Sequence, residues 1–125
     1  MGKVLVLDDD LSLVQLVADV VKFCGHDPVA ETDPLEACAR HAVTGSTIAA
    51  VITDLMMPRL NGIEVCALFA ERCPDTRRIV LTAAPFEQEL REATTQGIVH
   101  SVISKPPTIS DIRLALAWLD PPRRG

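Results

Sequence analysis

The sequence predicts an α/β protein built on an open, doubly wound parallel sheet, and three observations lead there. Short apolar runs alternate with longer amphipathic stretches along the whole chain. The apolar runs lack polar alternation, so both faces of each strand should be covered, as in a parallel sheet between helices. Right-handed crossovers of these lengths place helices on both sides, giving three layers.

The elements follow in order. Val4-Leu5-Val6-Leu7 reads as a buried strand ending abruptly at Asp8-Asp9-Asp10. From Leu11 to Phe23, Leu13, Leu16, Val17, Val20 and Val21 recur at helical spacing, and Gly25 stops the helix. Pro28-Val29-Ala30 has room only for a short strand. A second helix is expected from Pro34 or Leu35 to Ala42, with Asp33 as N-cap. Ile48 to Thr53 is the next buried strand, ending in Asp54. A loop from Pro58 to Gly62 leads into a helix over Ile63–Arg72, closed by Pro74. Arg78 to Thr82 is a strand ending in a hydroxyl, and Phe86 to Thr95 is a polar helix stopped by Gly97. Ser101 to Ser104 is the last strand, ending at Lys105-Pro106. The final helix is expected from Ser110 to Leu119, with Leu114, Leu116 and Trp118 as apolar surface.

With 125 residues the chain has room for one domain with a real core, and 48% hydrophobic residues exclude a disordered segment. No apolar run is long enough to cross a bilayer, and the first residues lack a signal-peptide pattern, so a soluble cytoplasmic protein is expected. Gly2 lacks the Ser or Thr that a myristoylation signal wants at Val6. The net charge of −5 leaves no electrostatic footprint for nucleic acid, and only Arg123 and Arg124 run against it. Cys24, Cys38, Cys66 and Cys73 never form a C-x-x-C pair, so reduced thiols are expected. Cys66 follows Ile63 at helical spacing as a small core residue, while Cys24 and Cys73 near helix ends should be more exposed.

In such a fold, ligands bind beyond the carboxyl ends of the strands. Four of the five expected strands end in chemistry there: Asp8-Asp9, Asp54, Thr82 and Lys105. Carboxylates held together repel, which raises their pKa values or demands a cation. Lys105 offsets one charge, and the rest suits magnesium, with manganese as an alternative. A phosphoryl group on one carboxylate would find its charge met by the ion, Lys105 and the Thr82 hydroxyl, so an aspartyl phosphate fits the site.

The segments Val4-Leu5-Val6-Leu7-Asp8-Asp9-Asp10, Ile52-Thr53-Asp54-Leu55-Met56-Met57-Pro58, Asn61-Gly62, Ile79-Val80-Leu81-Thr82-Ala83 and Ser104-Lys105-Pro106 resemble, in order, the signature segments of bacterial response-regulator receiver domains. The likeness covers residues 1–120, with 121–125 left as a tail or linker stub. It implies a flavodoxin-like, chemotaxis-receiver-like sheet of order 2-1-3-4-5 with five helices. It also implies a phosphoacceptor switch of two-component signalling rather than a metabolic enzyme. Asp54 would take the phosphoryl group from a sensor histidine kinase or phosphotransfer protein. Asp9 and Asp54 would bind Mg2+ directly with the main-chain carbonyl of Met56, and Asp8 would act on it through water. Thr82 and Lys105 would contact the phosphoryl oxygens. Pro58 and Gly62 would shape the loop, Gly62 by permitting a turn that a side chain would not tolerate. The helix from Phe86 and the strand and helix after it would face an output partner, a fused output domain or a second copy in a phosphorylation-dependent homodimer.

Two positions depart from the family pattern. Val102 stands where an aromatic ring usually swings toward Thr82, and the chain contains no Tyr. Pro107 follows Lys105-Pro106 where a large apolar residue is common. Met56 and Ala84 would flank the phosphoryl group without positioning a water, so self-hydrolysis should be slow. Two other readings compete. In a haloacid-dehalogenase-type phosphatase, Asp8 would be the nucleophile and Asp10 the acid–base, but the chain has no room for a cap domain and no second paired-acid motif. A receiver-like interaction module that is never phosphorylated would have no need of the acidic set. Asp10 itself reads as a helix cap, and His26, His41 and His100 read as surface or packing residues without ligand spacing.

Overall fold

A computed structural model describes residues 2–119. Its elements are β1 (Lys3–Leu7), α1 (Leu11–Phe23), β2 (Asp27–Glu31), α2 (Pro34–His41) and β3 (Ile48–Asp54). They continue with α3 (Gly62–Arg72), β4 (Arg77–Thr82), α4 (Gln88–Thr95), β5 (Ser101–Ser104), α5 (Ile109–Leu116) and a 3-10 turn at Ala117–Leu119. All strands pair in parallel in the order β2-β1-β3-β4-β5, as expected. The tail expected at 121–125, with Arg123 and Arg124, lies outside the described residues, as does residue 120.

The two-residue period of the strands sorts the core onto two sides. Val4, Val6, Ala50, Ile52, Ile79 and Leu81 pack against α1 and α5. Leu5, Leu7 and Val51 meet α2 and α3 around Phe69, and Val80 joins Leu55, Cys66, Leu90 and Val99 toward α4. Phe69 is wholly buried, and truncating such a ring to alanine costs about 3–5 kcal/mol.

Helix boundaries shifted where capping outranked hydrophobicity. α3 begins one residue early because Asn61 and Glu64 form a reciprocal capping box. α4 starts at Gln88, with Glu87 as its N-cap, so Phe86 lies outside the helix and exposed. α5 starts at Ile109 on a second capping box, Thr108 with Asp111, and tightens into the 3-10 turn. Two apolar assignments are corrected. Val14, Val17, Ala18 and Val21 form the buried stripe of α1, while Leu16 is exposed. On α5, Leu116 is buried, but Leu114 and Trp118 face outward, Trp118 under the Arg77 guanidinium at 4.1 Å.

Cys38 and Cys66 are buried, and burial pushes their thiols up to about 11 and about 12. Cys24 and Cys73 are half-buried. Among the described residues no helix is long and apolar enough to cross a membrane.

Candidate functional site

The parallel strands bring Asp8, Asp54, Thr82 and Lys105 to one edge of the sheet, because each residue ends or directly follows its strand. Asp54 is the last residue of β3 and only 7% exposed. Lys105 Nζ donates to its Oδ1 at 3.1 Å. The Lys105 main-chain N–H donates to the Thr82 carbonyl at 2.8 Å, which ties the lysine to the end of β4.

Asp8 is 3% exposed. Its Oδ1 accepts the Asp10 N–H at 2.9 Å, but Oδ2 is buried without a hydrogen-bond partner. The Lys105 ammonium stands 3.5 Å from that oxygen, close enough to act as a charge but long for a donor. Asp9 is exposed, and Asp8, Asp9 and Asp54 each present a carboxylate oxygen within 4.8 Å of the others. Burial, with the charges of Asp54 and Asp9, raises the Asp8 pKa against the opposing Asp10 bond and Lys105. Burial alone would lower the Lys105 pKa, but the hydrogen bond and charge of Asp54, with Asp8 beside it, raise it overall. The lysine therefore stays charged.

The loop after β3 is built around Gly62. Its N–H donates to the Leu55 carbonyl at 2.8 Å. A Cβ there would stand 3.0 Å from Leu55 Cα and closer still to the Asp54 carbonyl oxygen. No side chain is tolerated at Gly62, as expected. The glycine is needed for close approach of two backbones, and the left-handed residue of this loop is Arg59, at φ 73°. Arg59 also reaches Asp33, the α2 N-cap, at 3.5 Å.

Met56 is 73% exposed at the rim of the site. The Thr82 hydroxyl accepts the Ala84 N–H at 3.0 Å. Val102 pairs with Val80 and packs in the α4-side core, so no ring lies there to follow Thr82. Asp10 accepts from Ser12 and Leu13 N–H groups as the α1 cap, as expected.

One group went unread in the sequence. Arg78 and His100, taken as a strand start and a surface or packing residue, form a hydrogen-bonded knot of a buried arginine and a half-buried histidine at the opposite end of the sheet. A charged residue opening an otherwise apolar strand run was the available signal.

The response regulator receiver domain family model matches residues 4–117. The response regulator MprA of Mycobacterium sp. (strain KMS) is 33% identical over 110 residues, covering 88% of this chain and 46% of that protein. The transcriptional regulatory protein TcrA of Mycobacterium tuberculosis (strain ATCC 25618 / H37Rv) is 30% identical over 123 residues, covering 98% of this chain and 47% of that protein. The chain spans about half the length of these curated relatives. Among solved structures, the Vibrio cholerae chemotaxis protein CheY4 aligns with a TM-score of 0.80 at 22% identity, covering 96% of this chain and 99% of that one.

Proposed function

The chain belongs to the response regulator receiver domain family, and on that premise we propose that Asp54 is the phosphoacceptor of a switch in two-component signalling. The observation that carries this is the pairing of buried Asp54 with half-buried Lys105 at 3.1 Å, set beside an Asp8 oxygen that has no hydrogen-bond partner. Leaving such an oxygen unpartnered costs about 1–3 kcal/mol, which a bound cation would remove. The acids therefore fit Mg2+, or Mn2+, held by Asp9, Asp54 and the Met56 main-chain carbonyl, with Asp8 acting through water. Bound there, the ion would neutralise charge on the transferring phosphoryl group.

The chain's own residues do the rest. Asp54 attacks phosphorus, so the P–O bond to its carboxylate forms as the donor's P–N bond breaks and the imidazole leaves. Lys105 moves with the phosphoryl oxygens it now neutralises, and the Thr82 hydroxyl turns from Ala84 toward them. The donor is a sensor histidine kinase or phosphotransfer protein of the cytoplasm. The altered surface of α4, β5 and α5 then engages an output partner, a fused output domain or a second copy. Relatives twice this length, one of them named a transcriptional regulator, support the fused arrangement. The exposed Met56 and Ala84 offer no polar group to orient an attacking water, so self-hydrolysis of the phosphorylated form is slow.

Acetyl phosphate with magnesium tests the acceptor by intact mass. One phosphoryl group is expected on the wild type, and none on Asp54→Asn or in EDTA. An adduct that persists in Asp54→Asn would overturn the assignment.

A further inference from the structure

The Arg78–His100 knot sits at the end of the sheet opposite Asp54. Arg78 is 6% exposed, and among the described residues its guanidinium hydrogen-bonds to no carboxylate. Its guanidinium donates to the carbonyls of Ile98 at 2.8 Å and of Pro74, Thr76 and Gly97 at 3.1 Å each. It thereby sews the α3–β4 turn to the α4–β5 turn. The Arg78 main-chain N–H donates to His100 Nδ1 at 2.9 Å, while the His100 N–H donates to the Arg78 carbonyl at 2.8 Å. These two bonds extend the β4–β5 ladder by one rung below Ile79 and Ser101, with a ring nitrogen in place of a carbonyl. His100 Nε2 lies 3.3 Å from the guanidinium NH2.

Both ring nitrogens therefore face N–H groups of one residue, yet a neutral imidazole offers only one acceptor nitrogen and an imidazolium none. Proton uptake removes the acceptor that Arg78 N–H needs and sets a second cation against a buried one. The charges acting on the ring are Arg78 and Arg77, both cations of β4. Arg77 is stacked on Trp118 from the 3-10 turn. From α3, Cys66 faces Arg78, but burial pushes its thiol up to about 12, so it supplies no counter-charge. Burial first, then the two arginines, lowers the His100 pKa.

We propose that His100 is an acid-sensitive latch, whose protonation frees Arg78 N–H and opens the α4–β5 turn and the start of β5 without unfolding the rest of the sheet. A group with a lowered pKa binds its proton more tightly once released, so opening gains as the pH falls from the ordinary histidine value to the lowered one. The device is separate from phosphorylation, although it acts on the surface assigned above to partners.

The test is a pH series on the unphosphorylated protein, with NMR titration of the ring nitrogens and amide protection factors. His100 should titrate below the ordinary value of about 6.5. Protection of amides 97–101 should fall as the pH drops from that value to the lowered His100 pKa and level off below it, while β1 and β3 keep theirs. His100→Asn, whose Oδ1 replaces Nδ1 as acceptor, should show no such fall. A His100 pKa at or above the ordinary value would overturn the latch, and this needs no variant. An equal fall in His100→Asn, or an equal fall across all strands, would also overturn it.

Discussion

Replacing Asp8 by asparagine should stabilise the metal-free protein while destroying its response to magnesium. At an effective dielectric constant of about 20, two charges 4.8 Å apart interact by about 3.5 kcal/mol, and the 3.5 Å attraction of Asp8 to Lys105 is worth about 4.7 kcal/mol. Because the oxygens lie within 4.8 Å, repulsion from Asp54 is at least the first figure, and that from the exposed Asp9 is screened to a fraction of it. Attraction and repulsion at Asp8 therefore nearly cancel. What stays uncompensated is the burial of a charged Oδ2 with no hydrogen-bond partner, about 1–3 kcal/mol. The asparagine keeps the Oδ1 acceptor for Asp10 N–H and carries no charge, so a gain of about 1–2 kcal/mol is expected. With a urea slope of about 1.5 kcal/mol/M, the midpoint rises by about 1 M. Magnesium at tenfold over its Kd should add about 1.4 kcal/mol to the wild type and almost nothing to the variant. Circular dichroism in urea, with and without magnesium, reads all of these values. A variant less stable than the metal-free wild type, or one gaining equally from magnesium, would refute the reasoning.

Gly62→Ala should lose about 1–3 kcal/mol, because the new Cβ meets the backbone of Asp54 and Leu55, which has no flexible side chain to move aside. Urea unfolding checks this, and reduced phosphorylation should accompany it, since the displaced backbone carries the acceptor. The phosphorylated protein should last minutes or longer, because neither exposed Met56 nor Ala84 offers a polar group to orient water. A time course of intact mass after donor removal measures this, and decay within seconds would contradict it.

The sequence by itself determined the sheet and the ends of its strands. Unbroken apolar runs such as Val4–Leu7 and Ile48–Thr53 bury both faces, and only a parallel sheet between helices satisfies them. Asp54, Thr82 and Lys105 were legible for the same reason, since a polar residue that ends an apolar run must lie at the sheet edge. Helix limits were less legible. Short polar capping boxes at Asn61 and Thr108 set them, against a hydrophobic pattern that pointed one residue later. Which apolar residues face inward was decided by neighbours. Leu16 and Leu114 fit a helical period, but the sheet lies on the other side of their helices. Only the tertiary structure could place Arg78 beside His100, because they are 22 residues apart and meet through strand pairing. The same holds for the charge at Asp8. The carboxylate is local information, but its missing partner depends on which side chains the fold leaves within reach.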